Sequence, residues 1–524
     1  MEAHSITDTD ISALYPESSR IRVSRDSDTV RSDDEDAIQP GGWSPLLVLA
    51  GATCCLGSAL PAGFNIGVIN TPANLIKDFC NQSLEERYRI QVSEEGLNIL
   101  WSAIVSIFLI GGVSGSLTAG LLADKLGRKG TLAIGNLCGV IGALLFFLTP
   151  ILNSVELLLA GRLIVGLSGG LATSLLPMYM TELAPLRLRG AVGVLCQLGI
   201  TTGVLLGQIV GLDTILGTEK LWSYMLAAFL PLCVLALPLT LVLPESPKFL
   251  YVIKEQHETA ITELSRLRNM DVILLRNEVL VLEQELTLRT SSDNWTISRV
   301  LNDHCLRLPL VLVILMQFGQ QLSGINAVFY YSDSIFEKAG LDKTSSQYAT
   351  IGTGLANVFM ALVSVLLMSR VGRRSLLLSS CYLSACCLLV LCFAIAFIHS
   401  SKYVPWLCIL AVQAYVIFYG LGLGPIPFFI GSELFDVGPR PAAMALGSVA
   451  NWGGNFVVGM TFTALQNLIG SYTFLIFILC ILALSGFVRT YLPETRGKST
   501  SEISSIMTQG FKSRPNRVLN TYDQ

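Results

Sequence analysis

Residues 317–331 read QFGQQLSGINAVFYY, Gln317 to Tyr331. They continue an apolar run that begins near Leu308 with LPLVLVILM and is long enough to cross a membrane, yet they carry three glutamines, an asparagine and two tyrosines. Polar side chains are costly in hydrocarbon, so these face either an aqueous pathway or partners inside a helix bundle. None is charged. Neutral amides both donate and accept hydrogen bonds, which suits a ligand that does the same, such as a polyhydroxylated sugar, better than an ion. On a straight helix Gln321 and Asn326 stand roughly 140° apart. One ligand touches both only if the helix unwinds between them, and Gly324 is the residue that permits it. The competing reading is that the amides only bond neighbouring helices.

The whole chain matches this stretch. Its 524 residues are 52% hydrophobic and 14% charged, and the mean hydropathy is +0.59, outside the range of ordinary soluble proteins. Apolar runs of roughly 20 residues, each enough for one crossing, begin near residues 45, 99, 131, 155, 190, 221, 307, 346, 375, 404, 441 and 471. An all-α membrane protein of twelve transmembrane helices in two six-helix halves is expected, with a helical insert between them. The expected divisions are a polar tail at 1–42, a first half at 43–243, the insert at 244–306, a second half at 307–493 and a tail at 494–524. A net charge of -3 gives no reason to expect nucleic acid. Most of the 13 cysteines lie in apolar runs as small core residues, and the four histidines lie in tails, loops or at a span end. No metal site, cofactor or catalytic residue is expected, and no nucleophile and base stand out for an enzyme.

The first span holds Gly57, Pro61, Gly63, Gly67 and Pro72, which predicts a bent helix. Lys125, Arg128 and Lys129, then Arg187 and Arg189, then Arg370, Arg373 and Arg374 fall in connections on one face, while connections such as TPILNSVE carry few basic residues. The positive-inside rule therefore puts both tails and the insert in the cytoplasm. The Asn81-Gln82-Ser83 sequon then lies on the opposite side and is expected to be glycosylated, whereas Asn294-Trp295-Thr296 is not. Within the insert Leu275, Val279, Leu282 and Leu286 recur at helical spacing, predicting an amphipathic helix lying on the bundle.

Three features occur twice. Gly127-Arg128-Lys129 returns as Gly372-Arg373-Arg374, Glu182 and Arg189 return as Glu433 and Arg440, and Pro244-Glu245-Ser246 returns as Pro493-Glu494-Thr495. Two parallel copies of one six-span design follow, the layout of transporters that bind substrate between halves. Guanidinium and carboxylate groups at the basic span ends, Asp124, Arg128, Glu182 and Arg189 in one half and Arg370, Arg373, Arg374, Glu433 and Arg440 in the other, predict an ionic latch between the halves.

With these motifs in view the chain resembles the facilitative glucose transporters, in the sugar porter branch of the major facilitator superfamily. The resemblance covers residues from about 45 to 500 and rests on GLLADKLGRK (120–129), GRLIVG (161–166), PMYMTELAPLRLRGA (177–191), PESPKFL (244–250), QQLSGINAVFYYS (320–332), GPIP (424–427), GPRPAA (438–443) and PETRGKS (493–499). It implies alternating access in the plasma membrane, with a hexose held mostly by the second half. The sugar ligands it implies are Gln197, Gln320, Gln321, Asn326, Asn357, Asn451 and Trp452, with Phe428 where glucose members carry Trp. Three further departures are Gly420 where they carry Glu, Gln317-Phe318-Gly319 where they resemble QLS, and Ser369 where they carry Glu. Two other activities compete. Proton-coupled symporters that resemble this chain carry Asp in the first span where it has Asn65, and a permanently neutral amide carries no proton. Non-transporting sensors of that branch are expected to have a long signalling tail, whereas about thirty residues follow Pro493 here.

Overall fold

The computed structural model describes residues 42–69, 73–212, 214–289, 295–329, 336, 340–398, 400–401, 403–507 and 510–512. The tail at 1–41, the sequon residue Asn294, Tyr330, Tyr331 and residues 513–524 lie outside them. No strand occurs among the described residues.

Among the described residues ten helices are long and apolar enough to cross a membrane. One of them, Glu94–Ile151, has 58 residues, about twice a crossing, and it breaks at Gly127, whose φ of 83° and ψ of 174° are not helical. It supplies two spans. A further 30-residue helix, Arg440–Ile469, is the more polar one that carries Asn451. The spans are thus α1 (Pro45–Gly67), α3 (94–126), α4 (128–151), α5 (Val155–Leu183), α6 (Leu186–Val210) and α7 (Trp222–Val242), then α11 (Arg307–Phe329), α12 (Lys343–Arg370), α13 (Arg373–Ala396), α14 (Val404–Leu434), α15 (Arg440–Ile469) and α16 (Thr473–Tyr491). Between α1 and α3 lies α2 (Ala73–Tyr88), and the insert contains α8 (His257–Arg268), α9 (Arg276–Arg289) and α10 (Ile297–Asn302). Each span starts within about five residues of its expected position.

The bend expected in α1 is a π-helical turn at Cys55–Ala59, a local widening that commonly marks functional helices. Its glycines serve packing as well. A Cβ at Gly63 would lie 2.0 Å from the Ile200 carbonyl oxygen, and one at Gly67 would lie 2.5 Å from that of Val204, so α1 and α6 touch backbone to backbone.

The duplicated motifs interlock the same way in both halves. Glu245 accepts hydrogen bonds from the backbone N–H groups of Arg128 and Lys129 at 3.1 and 3.2 Å, and Glu494 accepts from those of Arg373 and Arg374 at 2.8 and 3.2 Å. Each carboxylate thus caps the N-terminus of a span, where unpaired N–H groups and the helix dipole favour negative charge. A Cβ at Gly127 would stand 2.3 Å from Glu245 and one at Gly372 would stand 2.2 Å from Glu494, which explains the glycine before each basic pair.

The insert differs from expectation in what its stripe covers. Leu275 and Leu282 are buried, and Val279 and Leu286 half-buried, against Phe249, Leu250, Tyr251, Val252, Ala260 and Leu264. The stripe closes a small core within the insert. The bundle holds the insert by Glu245 at the start of α4, by Phe249 under the Arg128 guanidinium at 4.6 Å, by Arg268, whose Nη1 donates to the Leu183 carbonyl at 2.7 Å, and by Leu267, buried mostly among residues of the first half.

Candidate functional site

Helix α11 runs to Gln321 and then breaks. Gly324 has φ +85°, and a Cβ there would meet the Phe477 ring at 2.4 Å, so the turn requires glycine on both counts. Tyr415 on α14 donates to the Ser323 carbonyl at 2.9 Å, satisfying a backbone acceptor freed by the break. Helix resumes at Ile325, and Asn326 Nδ2 now donates to Gln321 Oε1 at 2.5 Å. The unwinding expected at Gly324 has brought the two amides together.

The other amides form a chain. Gln317 Nε2 donates to the Pro427 carbonyl at 3.0 Å and its Oε1 accepts from Asn451 Nδ2 at 2.9 Å. The same Asn451 nitrogen donates to Gln320 Oε1 at 2.6 Å, and Gln320 Nε2 donates to the Gly424 carbonyl at 2.5 Å. Helices α11, α14 and α15 are thereby tied at the GPIP turn. Gln317, Gln320 and Asn451 bond neighbouring helices, while Gln320, Gln321, Asn326 and Asn451 also line a pocket between the halves.

That pocket is lined by every residue the resemblance implied, Gln197, Gln320, Gln321, Asn326, Asn357, Phe428, Asn451 and Trp452, together with Thr173, Gln208, Tyr419 and Asn455. No Asp, Glu, Lys, Arg or His is among its lining residues. The Oε1 of Gln208 and the Oδ1 atoms of Asn357 and Asn455 are buried and accept no hydrogen bond from the described residues. Trp452 reaches across to the first half: its Nε1 donates to Thr173 at 3.1 Å, and its ring meets Phe108 edge-on at 5.4 Å. Gln208 and Asn455 were missed in the sequence, though helical spacing marks both. Asn455 lies one turn beyond Asn451, and Gln208 shares a face with Gln197 and Thr201.

The sequence departures have local consequences. A Cβ on Gly420 would lie 2.8 Å from Met360 Cβ and 3.5 Å from Asn357 Oδ1, so this bundle has packed away the space an acid would use. Gln317 holds Asn451 in place, as above. Ser369 bonds only its own helix, at Leu366.

At the insert end of the bundle the expected ionic residues form two clusters. Arg128 is fully buried and grips Glu182 with Nε at 3.0 Å and Nη2 at 3.3 Å, with Asp124 at 3.9 Å. Arg440, from the other half, donates to the same Glu182 at 3.1 Å. This is the ion pair, among the described residues, that crosses between the halves. In the second cluster Arg373 pairs with Glu433 at 3.0 Å, and Thr495 donates to Glu433 at 2.5 Å. Arg374 donates to the Arg489 carbonyl at 2.7 Å. Arg189 and Arg370 form no ion pair with a described residue, so the clusters are not mirror images. The insert contributes a buried Lys248–Glu285 pair. Burial pushes the Lys248 ammonium down against the pull of Glu285; burial also pushes the Glu285 carboxyl up, but Lys248 with Arg440 and Arg189 together hold it below its ordinary value.

Two sites at the other end complete the inventory. Arg162 Nη1 donates to the Asn65 carbonyl at 3.0 Å, and the Asn65 amide turns back to Pro61 at 2.9 Å. Asn81 lies on α2, and Ser83 of its sequon is buried, donating to the Asn153 carbonyl at 2.9 Å.

The family described as "Sugar (and other) transporter" matches residues 51–507. The chain belongs to this sugar transporter family. Among curated relatives it is 38% identical to solute carrier family 2, facilitated glucose transporter member 1 of Gallus gallus, over 90% of this chain and 95% of that one. It is 40% identical to member 3 of Ovis aries over 87% and 92%, and 38% identical to member 5 of Equus caballus over 91% and 95%. Among solved structures, the proton:xylose symporter XylE bound to 6-bromo-6-deoxy-D-glucose superposes with a TM-score of 0.76 at 23% identity, covering 88% of this chain and 99% of that one. An inward-open form of XylE from E. coli gives 0.63 at 23%, covering 88% and 100%. These likenesses show that the sugar transporter has the major facilitator fold, twelve spans in two halves.

Proposed function

We propose that this member of the family carries hexoses, D-glucose foremost, down their gradient by alternating access, and that the second-half amides with Gln197 bind the sugar. The observation that carries the reading is a pocket between the halves furnished with eight neutral amides, an indole, two phenyl rings and a phenol, and no charged group among the described residues. Amides suit hydroxyls and an aromatic face suits the C–H side of a pyranose. The relatives, named as facilitated glucose transporters, agree. Proton coupling finds no carrier in Asn65, whose side chain is an amide bonded to its own helix. Glu182, shared by Arg128 and Arg440, acts as the latch that holds the insert end closed and parts when the halves rock. The basic connections put that end, the insert and the tails in the cytoplasm, and the membrane is the plasma membrane.

Phe428 keeps an aromatic face but offers no N–H donor, and Gly420 removes an acid, so galactose, mannose or fructose competes with glucose within about ten-fold, the effect of roughly 1.4 kcal/mol. The test is counterflow of radiolabelled hexoses in liposomes holding only this protein. Saturable glucose exchange that fructose in excess slows is expected. Absence of hexose exchange refutes the function, and indifference to fructose refutes the broadened selectivity.

A further inference from the structure

Helix α6 carries Gln197, Thr201, Val204 and Gln208 along one face, because a separation of 11 residues returns to within roughly 20°, and all four line the pocket. The helix leads away from the insert end, so Gln208 stands roughly 16 Å beyond Gln197. One pyranose cannot touch both. The pocket is therefore longer than its occupant, and its outer end has its own polar equipment. Gln208 Oε1 is buried without a described donor, as is Asn357 Oδ1 one turn inward of Gly354 on the facing helix. Gln208 sits directly over Gly354 of α12: a Cβ there would lie 2.6 Å from Gln208 Oε1. The backbone at Gly354 is helical, so what glycine supplies here is room.

A buried carbonyl acceptor without a donor is unfavourable and calls for a partner. Buried apolar neighbours such as Val204, Leu205 and Ile325 provide none. A polyol entering the pocket brings hydroxyl donors of the needed kind. We propose that Gln208, seated over Gly354, is the recognition residue of an outer subsite, where its carbonyl oxygen accepts a hydrogen bond from a hydroxyl of the incoming hexose before the sugar reaches the amides around Gln197 and Gln321. The subsite rests on the hexose reading above, and it adds a specificity residue on the first half, facing the second.

The experiment measures Vmax/KM for D-glucose and for its monodeoxy and monodeoxyfluoro analogues in liposomes holding the full chain. The variants are Gln208→Met, which keeps the length and removes the amide, Gly354→Ala, which displaces the amide, and the two combined. Gln208→Met is expected to lower the value for glucose by about three- to ten-fold, the range of one hydrogen bond. It should leave nearly unchanged the analogues lacking the one hydroxyl that donates. Deoxy and deoxyfluoro forms at that position should behave alike, since fluorine cannot donate. Gly354→Ala should reproduce the pattern and add little to Gln208→Met. A merely structural role scales every sugar by one factor, and that result, or no change in any sugar, overturns the subsite while leaving hexose transport standing. If the parent protein shows no saturable hexose exchange, both readings fall. Should Gln208→Met not yield folded protein, the Gly354→Ala panel decides on the same criterion.

Discussion

Gln320 is fully buried, and its side chain closes the amide chain, accepting from Asn451 at 2.6 Å and donating to the Gly424 carbonyl at 2.5 Å. Gln320→Ala leaves the Gly424 carbonyl without this donor and takes one acceptor from Asn451, which keeps Gln317. A buried polar group left unpaired costs about 1–3 kcal/mol and a lost hydrogen bond about 0.5–1.5 kcal/mol, so the change removes about 1.5–4.5 kcal/mol of stability at the GPIP turn, in addition to any sugar contact. Asn326→Ala breaks one bond, to Gln321, beyond the Gly324 break, and removes about 0.5–1.5 kcal/mol. The two variants should therefore fail differently. Purified Gln320→Ala should unfold in detergent several degrees below the parent protein and lose transport more than ten-fold, whereas Asn326→Ala should keep the parent melting point and raise KM several-fold. Thermal unfolding followed by size-exclusion chromatography, with uptake kinetics on the same preparations, decides the matter. A Gln320→Ala protein that melts like the parent and differs only in KM would refute the chain as a structural tie.

Three further outcomes are expected. Arg440→Leu leaves Glu182 to Arg128 alone and removes the ionic contact between halves, so cysteines placed at the insert end should become more accessible to a charged thiol reagent; breaking a buried pair costs about 3–5 kcal/mol, and Arg189→Leu, which breaks no ion pair, should have a smaller effect. Because Asn65 is an amide, uptake should stop at equal concentrations and ignore a proton ionophore, and accumulation that collapses with the ionophore would restore the symporter reading. Removal of glycan should shift the mobility of the parent and of Asn294→Gln but not of Asn81→Gln; since Ser83 is packed against Asn153, modification is expected during synthesis, and folded, unmodified protein should resist it afterwards.

Much of the fold is legible in the chain because membrane crossing is a local requirement. Each span must satisfy its own backbone and be apolar over roughly 20 residues, which is why the twelve starts can be read one by one. The duplicated glycine, basic and acidic motifs likewise announce two copies, and the amides of 317–326 stand out against hydrocarbon. The break at Gly324 is local too, and its consequence for Gln321 and Asn326 follows from helix geometry.

What the sequence does not determine depends on distant pairings. Nothing near Glu245 says that its carboxylate caps the span starting at Arg128, 117 residues earlier. The latch motifs are symmetric in sequence, yet Glu182 takes both Arg128 and Arg440 while Arg189 forms no ion pair with a described residue. Which cross-pair closes depends on how the halves dock, not on the spacing within either. The division of labour among the amides was hidden for the same reason: Gln317, Gln320 and Asn451 find partners on other helices, and Gln208, Asn357 and Asn455 keep acceptors that no described residue bonds. Residue type and periodicity determine the spans, because hydrocarbon acts on each helix separately. Only the packing of α6, α11, α12, α14 and α15 against one another decides which amides tie helices together and which line the pocket with acceptors that no described residue bonds.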